Sequence, residues 1–200
     1  MKRRPFLLGA GGSLLAALAA CSKEVASPAA PAGPAAASPG VPVDAARKAY
    51  ETSLRGSGFT VGQAMAARTV RVFFDPQCPH CATLWAASKP LLDRISMVWM
   101  PVAFIRPVSG PQGALLLAAA DPAALMDQHE SLLASGQGGL VVPAPADEAL
   151  LEKIKANTAL WTSLEAGSVP HLLYRAGSDG PYGQQSGGLP TAQLAQMLGL

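Results

Sequence analysis

The sequence predicts an α/β domain in which a strand–helix–strand unit is followed by inserted helices, a β-hairpin and a closing helix. β-branched and aromatic residues fill 69–75, which is typical of a buried strand. An apolar run at helical spacing follows and leads into a second predicted strand over 96–105. Further on, the predicted strands 171–174 and 182–185 flank a turn at 177–180, a pattern that indicates a hairpin.

The first unit is expected to hold its two strands parallel, with a right-handed crossover through the helix. That helix is predicted to run to about Ile95, with a kink at Pro90. In the second strand, Pro101 indicates a bulge or an edge position. The apolar residues of the helix recur at helical spacing: Leu84, Trp85, Leu91 and Leu92.

The inserted segment over 107–166 is predicted to be helical. Its three helices are expected near the following ranges, with a Gly- and Pro-rich stretch at 136–145: 111–120, 122–135 and 146–165. The third has its apolar side chains on one face: Leu150, Leu151, Ile154, Leu160 and Trp161. A closing helix is expected over Leu189–Leu198. This order of elements over 68–200 is a thioredoxin-like architecture with a helical insertion between its βαβ and ββα units.

Two segments precede this domain. Residues 22–43 are mostly Ala, Pro, Ser and Gly, so they bury too little apolar surface to offset the entropy of ordering, and we predict a disordered tether. Residues 44–67 are predicted to be a short helical lead-in. Its helix would begin near Asp44, as a cap, and end at Gly56.

Residues 1–21 are predicted to be an export signal. A charged start, Lys2-Arg3-Arg4, precedes an apolar stretch over 6–20 that is too short to span a bilayer comfortably. The stretch ends in Leu-Ala-Ala-Cys21, which resembles a bacterial lipobox and predicts lipidation of Cys21; the alternative is an ordinary signal with a chance cysteine. Ser22 makes the outer membrane the default. The arginine pair also resembles a twin-arginine export motif, although it equally suits the general export route.

The composition excludes one class of partner. Only 14% of the residues are charged, the formal net charge is +2, and no stripe of Lys or Arg runs along any segment. Nucleic-acid binding therefore has no electrostatic basis.

The cysteine count directs attention to one pair. If Cys21 carries lipid, Cys78 and Cys81 are the two that remain, and no cysteine is left for a structural disulfide. Because an exported protein lives where disulfides form readily, a single Cys-x-x-Cys pair indicates redox chemistry with no cofactor beyond that disulfide. A metal site is the alternative, with copper favoured over zinc. Its other candidate ligands are widely separated: His80, His129 and His171.

Exchange of disulfides requires a thiolate. Cys78 is expected at the start of a helix, where unpaired N–H groups favour negative charge, and His80 adds a donor and, when protonated, a charge. We therefore predict a lowered pKa for Cys78 and an exposed attacking sulfur. Cys81, one turn further along, would resolve the mixed disulfide.

The sequence around the cysteine pair resembles that of a known family. The segment Phe-Phe-Asp-Pro-Gln-Cys-Pro-His-Cys-Ala-Thr-Leu-Trp around Cys78 resembles the active-site segment of the DsbC/DsbG group of periplasmic thiol–disulfide proteins. A second match runs from Asn157 to Tyr174, and the resemblance covers about 68–200. It implies a cis Val169–Pro170 bond facing the cysteine pair, with Val169 offering backbone groups to substrate. It also implies cysteine-containing exported proteins as substrates and a membrane redox partner that recycles the pair.

One departure from the family affects the expected activity. DsbC and DsbG relatives carry an N-terminal dimerisation domain, for which the segment 44–67 is too short. The dipeptide Pro79-His80 is the one found in strongly oxidising DsbA proteins. We therefore expect a thiol–disulfide oxidoreductase, with the oxidising, reducing or isomerising direction left open. The alternative is a copper-binding thiol carrier.

Overall fold

The computed structural model describes residues 41–142 and 145–200. The predicted signal over 1–21, with Cys21, and the tether up to residue 40 lie outside the described residues. The described elements, in chain order, are α1 (Val43–Ser53), β1 (Phe59–Gly62), β2 (Arg68–Phe74), α2 (Pro79–Ser88), β3 (Ser96–Pro101), α3 (Ser109–Ala118), α4 (Pro122–Ala134), α5 (Glu148–Ser163), β4 (His171–Ala176), β5 (Tyr182–Ser186) and α6 (Thr191–Met197).

The strands form one sheet with the order β1-β3-β2-β4-β5. The central strands β2 and β3 are parallel, which confirms the predicted strand–helix–strand unit. β4 pairs antiparallel with both β2 and β5, so the predicted hairpin is also confirmed. This is the predicted thioredoxin-like arrangement, and α3, α4 and α5 are inserted between β3 and β4.

The prediction of a short helical lead-in over 44–67 is incomplete, because this segment contains the strand β1 as well as the helix α1. β1 extends the sheet beyond β3 in an antiparallel pairing, with Phe59 opposite Trp99. Its buried Phe59 and Val61 alternate with exposed Thr60 and Gly62. Four residues are too few for that alternation to stand out against a loop.

Two predicted boundaries also move. Pro90 does not kink a long helix: α2 ends at Ser88, and a 3₁₀ turn over Lys89–Leu91 follows. β3 ends at Pro101 and not at residue 105. The backbone N–H groups of Phe104 and Ile105 donate instead to the carboxylate of Asp75, at 2.9 and 3.0 Å.

Aromatic side chains connect α2 to the sheet. Trp85 of α2 meets Trp99 of β3 edge to face, with ring centroids 5.2 Å apart, and Trp99 meets Phe74 in the same way at 5.4 Å. Edge-to-face pairs of this kind add to the stability gained from burying the rings. They hold α2, and the cysteine pair at its start, against the carboxyl end of β2.

The inserted helices are tied to the end of β3 by one polar side chain. Asn157 of α5 donates to the carbonyls of Ser57 and Pro101 at 2.7 and 2.9 Å, and its own carbonyl accepts from Ser57 N–H at 2.8 Å. This amide therefore joins the insertion, the lead-in and β3. None of the helices in the described ranges has both the length and the apolarity needed to cross a membrane.

Candidate active site

The cysteine pair lies where β2 gives way to α2. Cys78 is the N-cap of α2, with extended backbone dihedrals of −93° and 114°, and Pro79 takes the first helical position. Pro suits that position because its missing N–H would have no partner within the helix. The N–H of Cys78 donates to the carbonyl of Asp75 at 2.9 Å, which closes the turn between strand and helix.

Both thiols are free and both are buried. The prediction of an exposed attacking sulfur is wrong for this structure, since Cys78 is 4% exposed and Cys81 is 0% exposed. The backbone carbonyl of Val169 lies 3.5 Å from Cys78 Sγ and accepts a hydrogen bond from it when Cys78 is a protonated thiol. The Val169–Pro170 peptide bond is cis, as the resemblance implied. Val169 and Pro170 are thus brought to the cysteine pair.

The surroundings of Cys78 stabilise its thiolate. A hydrogen bond from the Cys81 side chain is the largest effect that lowers the pKa of Cys78, to about 6. The backbone N–H groups of Cys81 and His80 and the charge of His80 lower the pKa further, while burial opposes them. The direction agrees with the sequence expectation, but the leading cause is the partner thiol and not the exposed His80.

Cys81 is shifted in the opposite direction. Burial raises the pKa of Cys81 far above its ordinary range, and the hydrogen bond that it donates to Cys78 adds to the rise. At neutral pH the pair therefore consists of a Cys78 thiolate and a Cys81 thiol. Because the thiolate is the nucleophilic form, Cys78 is the sulfur that can attack.

Replacing Cys81 with alanine is expected to raise the pKa of Cys78 well above 6, because the main donor to its thiolate is lost. The rate of alkylation by iodoacetamide as a function of pH measures this pKa. Cys81→Ser is the matched control, since its hydroxyl keeps a donor of similar length and is expected to keep the pKa low. An unchanged alkylation midpoint in Cys81→Ala would contradict this account of the thiolate.

Asp75 organises the loops around the pair, a role that the sequence did not reveal. Its side chain is fully buried. The carboxylate accepts hydrogen bonds from Ser109 Oγ at 2.6 Å, from Gln77 N–H at 2.9 Å, and from the N–H groups of Phe104 and Ile105. One carboxylate thus joins the active-site turn to the segment between β3 and α3.

A second polar network connects the active-site turn to the inserted helices. The Gln77 amide donates to Gln112 of α3 at 2.6 Å, and both glutamines donate to the carbonyl of Gly138 at 2.8 Å. His129 of α4 bonds through Nε2 to the carbonyl of Pro76 at 2.6 Å and accepts from Leu140 N–H through Nδ1 at 3.2 Å. The insertion is therefore in direct contact with the turn that carries Cys78.

The three histidines that were candidate metal ligands lie in different environments and do not converge on one site. His80 is exposed, His129 belongs to the network above, and His171 of β4 lies 3.1 Å from Ser186 Oγ through its Nδ1. Among residues 41–142 and 145–200, no group of three or more His, Cys, Asp or Glu side chains is placed to hold a metal ion.

No protein-family model matches the sequence. The thiol:disulfide interchange protein DsbG of Pseudomonas aeruginosa is 29% identical over 157 residues, which cover 77% of this chain and 60% of that protein. DsbG of Escherichia coli is 30% identical over 139 residues, which cover 68% of this chain and 54% of that protein. The chain is therefore similar to thiol:disulfide interchange proteins of the DsbG type. It spans little more than half the length of these curated relatives.

Solved structures show the same fold. The catalytic domain of Proteus mirabilis ScsC superimposes with a TM-score of 0.60 at 15% identity, over 78% of this chain and 96% of that one. A disulfide interchange protein from Neisseria gonorrhoeae gives a TM-score of 0.51 at 20% identity, over 71% of this chain and 93% of that one. The fold of this chain is therefore shared with proteins that have diverged widely from it in sequence.

Proposed function

We propose that this chain is a periplasmic thiol:disulfide oxidoreductase that exchanges disulfides with cysteine-containing exported proteins. One observation carries the proposal: a Cys78 with a pKa of about 6 caps a helix and accepts a hydrogen bond from a buried, protonated Cys81. This arrangement provides one nucleophilic sulfur, Cys78 Sγ, and one protonated sulfur, Cys81 Sγ, that can later resolve the mixed disulfide. The similarity to two interchange proteins named DsbG supports the same chemistry.

The exchange takes place in two steps that balance. The Cys78 thiolate attacks one sulfur of a substrate disulfide, forming a mixed disulfide and releasing the other substrate sulfur as a thiolate. Cys81 then loses its proton and attacks Cys78 Sγ, so that the Cys78–Cys81 disulfide forms and the second substrate sulfur leaves. The substrate gains two electrons and the protein loses two. The reverse sequence oxidises a substrate dithiol.

Val169 is proposed to guide the substrate chain. Its carbonyl lies 3.5 Å from Cys78 Sγ, so a segment that brings its sulfur to Cys78 passes beside this backbone. A Cys81→Ala variant can hold a cysteine peptide as a stable mixed disulfide. Amide hydrogen exchange around Val169 is expected to slow in that adduct, and exchange as fast as in the free variant would exclude the contact.

The direction of the reaction is tested by the reduction potential of the Cys78–Cys81 couple. A lowered Cys78 pKa stabilises the reduced form and makes the disulfide a stronger oxidant. We therefore expect a potential above that of thioredoxin, about −270 mV, and toward that of DsbA, about −120 mV. Equilibration with glutathione buffers, followed by alkylation of free thiols, measures it. A potential at or below that of thioredoxin would identify a reductase.

Export and anchoring are proposed from the sequence of residues 1–21. The lipobox-like end predicts that Cys21 becomes a lipidated N-terminus, followed by a tether that keeps the domain near the membrane, with a membrane protein recycling the cysteine pair. Cell fractionation tests this. The wild-type protein is expected in the membrane fraction and Cys21→Ala in the precursor or soluble fraction. Equal distribution of the two would remove the anchor from the proposal, and a variant of Arg3 and Arg4 separates the export routes.

A further inference from the structure

A small cavity lies beside the cysteine pair, outside the exchange steps themselves. It has a volume of about 280 Å³, and part of its wall is formed by Gln77 and Pro79, the two neighbours of Cys78 in the chain. The rest of the wall comes from the segment after β3, from the end of α4 and from the loop that follows α4: Arg106, Leu133, Gly136 and Gly138. A group held in this cavity therefore lies next to the residue that attacks the substrate.

Hydrogen bonds fix the walls of this cavity relative to one another. The N–H of Gln77 donates to the carboxylate of Asp75 at 2.9 Å, and the same carboxylate accepts from the N–H of Ile105, the neighbour of Arg106, at 3.0 Å. On the other side, Gln77 Nε2 donates to the carbonyl of Gly138 at 2.8 Å. The cavity is therefore preformed, and a ligand that enters it does not have to order its walls.

Arg106 gives this wall a positive charge. Its side chain is exposed, and its guanidinium makes neither an ion pair nor a hydrogen bond with any described residue. Arg106 also lines a second cavity of about 470 Å³, where the other charged residue is Lys155. Among the described residues that line the two cavities, none is Asp or Glu. The surface beside the active-site turn therefore favours an anion.

The acidic groups of the protein in this region leave Arg106 available to a ligand. Asp75 is fully buried, and its carboxylate already accepts four hydrogen bonds. Glu130, one turn before Leu133 on α4, is buried, and burial raises its pKa to about 8, so it is largely neutral near pH 7. Cys78 is negative when it attacks, and its thiolate repels a carboxylate on the substrate. A cation on the cavity wall offsets that repulsion.

We propose that this cavity, with Arg106 on its wall, binds the side chain of an acidic residue next to the reacting cysteine of the substrate, an inference that rests on the proposed oxidoreductase function. A guanidinium suits this task because its paired N–H donors match the two oxygens of a carboxylate. The substrate then contacts the protein at three points, with its sulfur at Cys78, its backbone at Val169 and its carboxylate at Arg106. Arg106 determines specificity and transfers neither protons nor electrons.

The experiment measures how fast Cys78 reacts with short peptides that differ in one charge. The peptides have acetylated and amidated ends, and their single cysteine is activated as a 2-pyridyl disulfide, whose neutral leaving group is followed by its absorbance. Glu stands on one side of the cysteine or on the other, and Gln replaces it in the matched peptides. The parent protein carries Cys81→Ser, so that the peptide stays on Cys78 while the pKa of Cys78 is expected to stay low.

In the parent protein we expect the peptide with Glu on the side that reaches the cavity to react about 5-fold faster than its Gln counterpart, the effect of one partly exposed ion pair. Adding Arg106→Gln is expected to bring this ratio to 1 or below, because the repulsion by the thiolate is no longer offset. Adding Arg106→Glu is expected to reverse the preference, so that a peptide with Lys in the same place reacts faster than the Glu peptide. Added salt is expected to lower the ratio of the parent protein by screening.

Controls separate recognition of the substrate from activation of the thiol. Arg94→Gln removes an exposed arginine in the turn before β3 and is expected to leave the ratio unchanged. The charge of Arg106 does not contribute to the lowered pKa of Cys78, so Arg106→Gln is expected to keep the alkylation midpoint of the parent protein. Equal rates for the Glu and Gln peptides in the parent protein, or a preference that persists in Arg106→Gln, would overturn the inference. Failure of every peptide to release its leaving group would instead overturn the proposed function.

Discussion

Replacing Cys78 with alanine is expected to abolish disulfide exchange, with a loss of about 10³-fold or more in the rate of insulin reduction by dithiothreitol. The physical reason is that no second thiolate is available in the pair. Cys81 is fully buried, and its pKa is raised far above the neutral range. It therefore remains a thiol when its partner is removed, and a thiol does not attack a disulfide.

Two comparisons make this result specific. The alanine variant is expected to keep the fold, because Cys78 is a small side chain whose Sγ has only weak sulfur hydrogen bonds, to the Val169 carbonyl and from Cys81. A matching melting temperature confirms that loss of activity is a loss of chemistry. The Cys81→Ala variant is expected to form mixed disulfides without turning over. Wild-type turnover by the Cys78 variant would remove the cysteine pair from the mechanism.

Replacing Asp75 with alanine is expected to lower the free energy of unfolding by about 4 kcal/mol. The change removes the shared acceptor of three backbone N–H groups and the hydroxyl of Ser109. All four donors would lose their partner, and the two in fully buried bonds, Gln77 N–H and Ser109 Oγ, carry the larger desolvation cost. Urea unfolding monitored by circular dichroism measures the difference.

Asp93 supplies the matched control for this prediction. It is an exposed aspartate in the turn before β3, so Asp93→Ala is expected to change the free energy of unfolding by less than about 0.5 kcal/mol. The Asp75 variant is also expected to loosen the active-site turn, because the carboxylate holds Gln77 next to Cys78. Equal stability of the Asp75 and Asp93 variants would show that the four hydrogen bonds contribute little.

Much of the fold could be predicted because its elements have strong local signals. The strand over 69–75 carries β-branched and aromatic residues, and the structure places β2 over Arg68–Phe74. The strand β1 was missed because four residues offer only two buried positions, Phe59 and Val61. The second strand was predicted to be too long, because its apolar residues continue past the end of β3. Beyond that end, the N–H groups of Phe104 and Ile105 donate to the Asp75 carboxylate and not to a neighbouring strand.

The site residues that could be predicted are those with a short sequence motif or a match to the family. Cys78 and Cys81 are recognisable from their spacing, and the resemblance supplied Val169 and Pro170. The burial of Glu130 could not be predicted, since a glutamate in a helix of mixed polarity looks the same whether it faces solvent or the interior. The leading cause of the Cys78 pKa was also beyond the sequence, because it depends on the direction in which the Cys81 thiol points.

The edge-to-face pair of Trp85 and Trp99 provides an intrinsic tryptophan fluorescence signal. Trp85 follows Cys81 by one helical turn, so its indole is a neighbour of the resolving sulfur on the same face of α2. Formation of the Cys78–Cys81 disulfide changes the atoms next to that indole. The packing of Trp99 and Phe74 is expected to stay the same. The emission of the native protein is therefore expected to report, without any label, whether its sulfurs are bonded to one another.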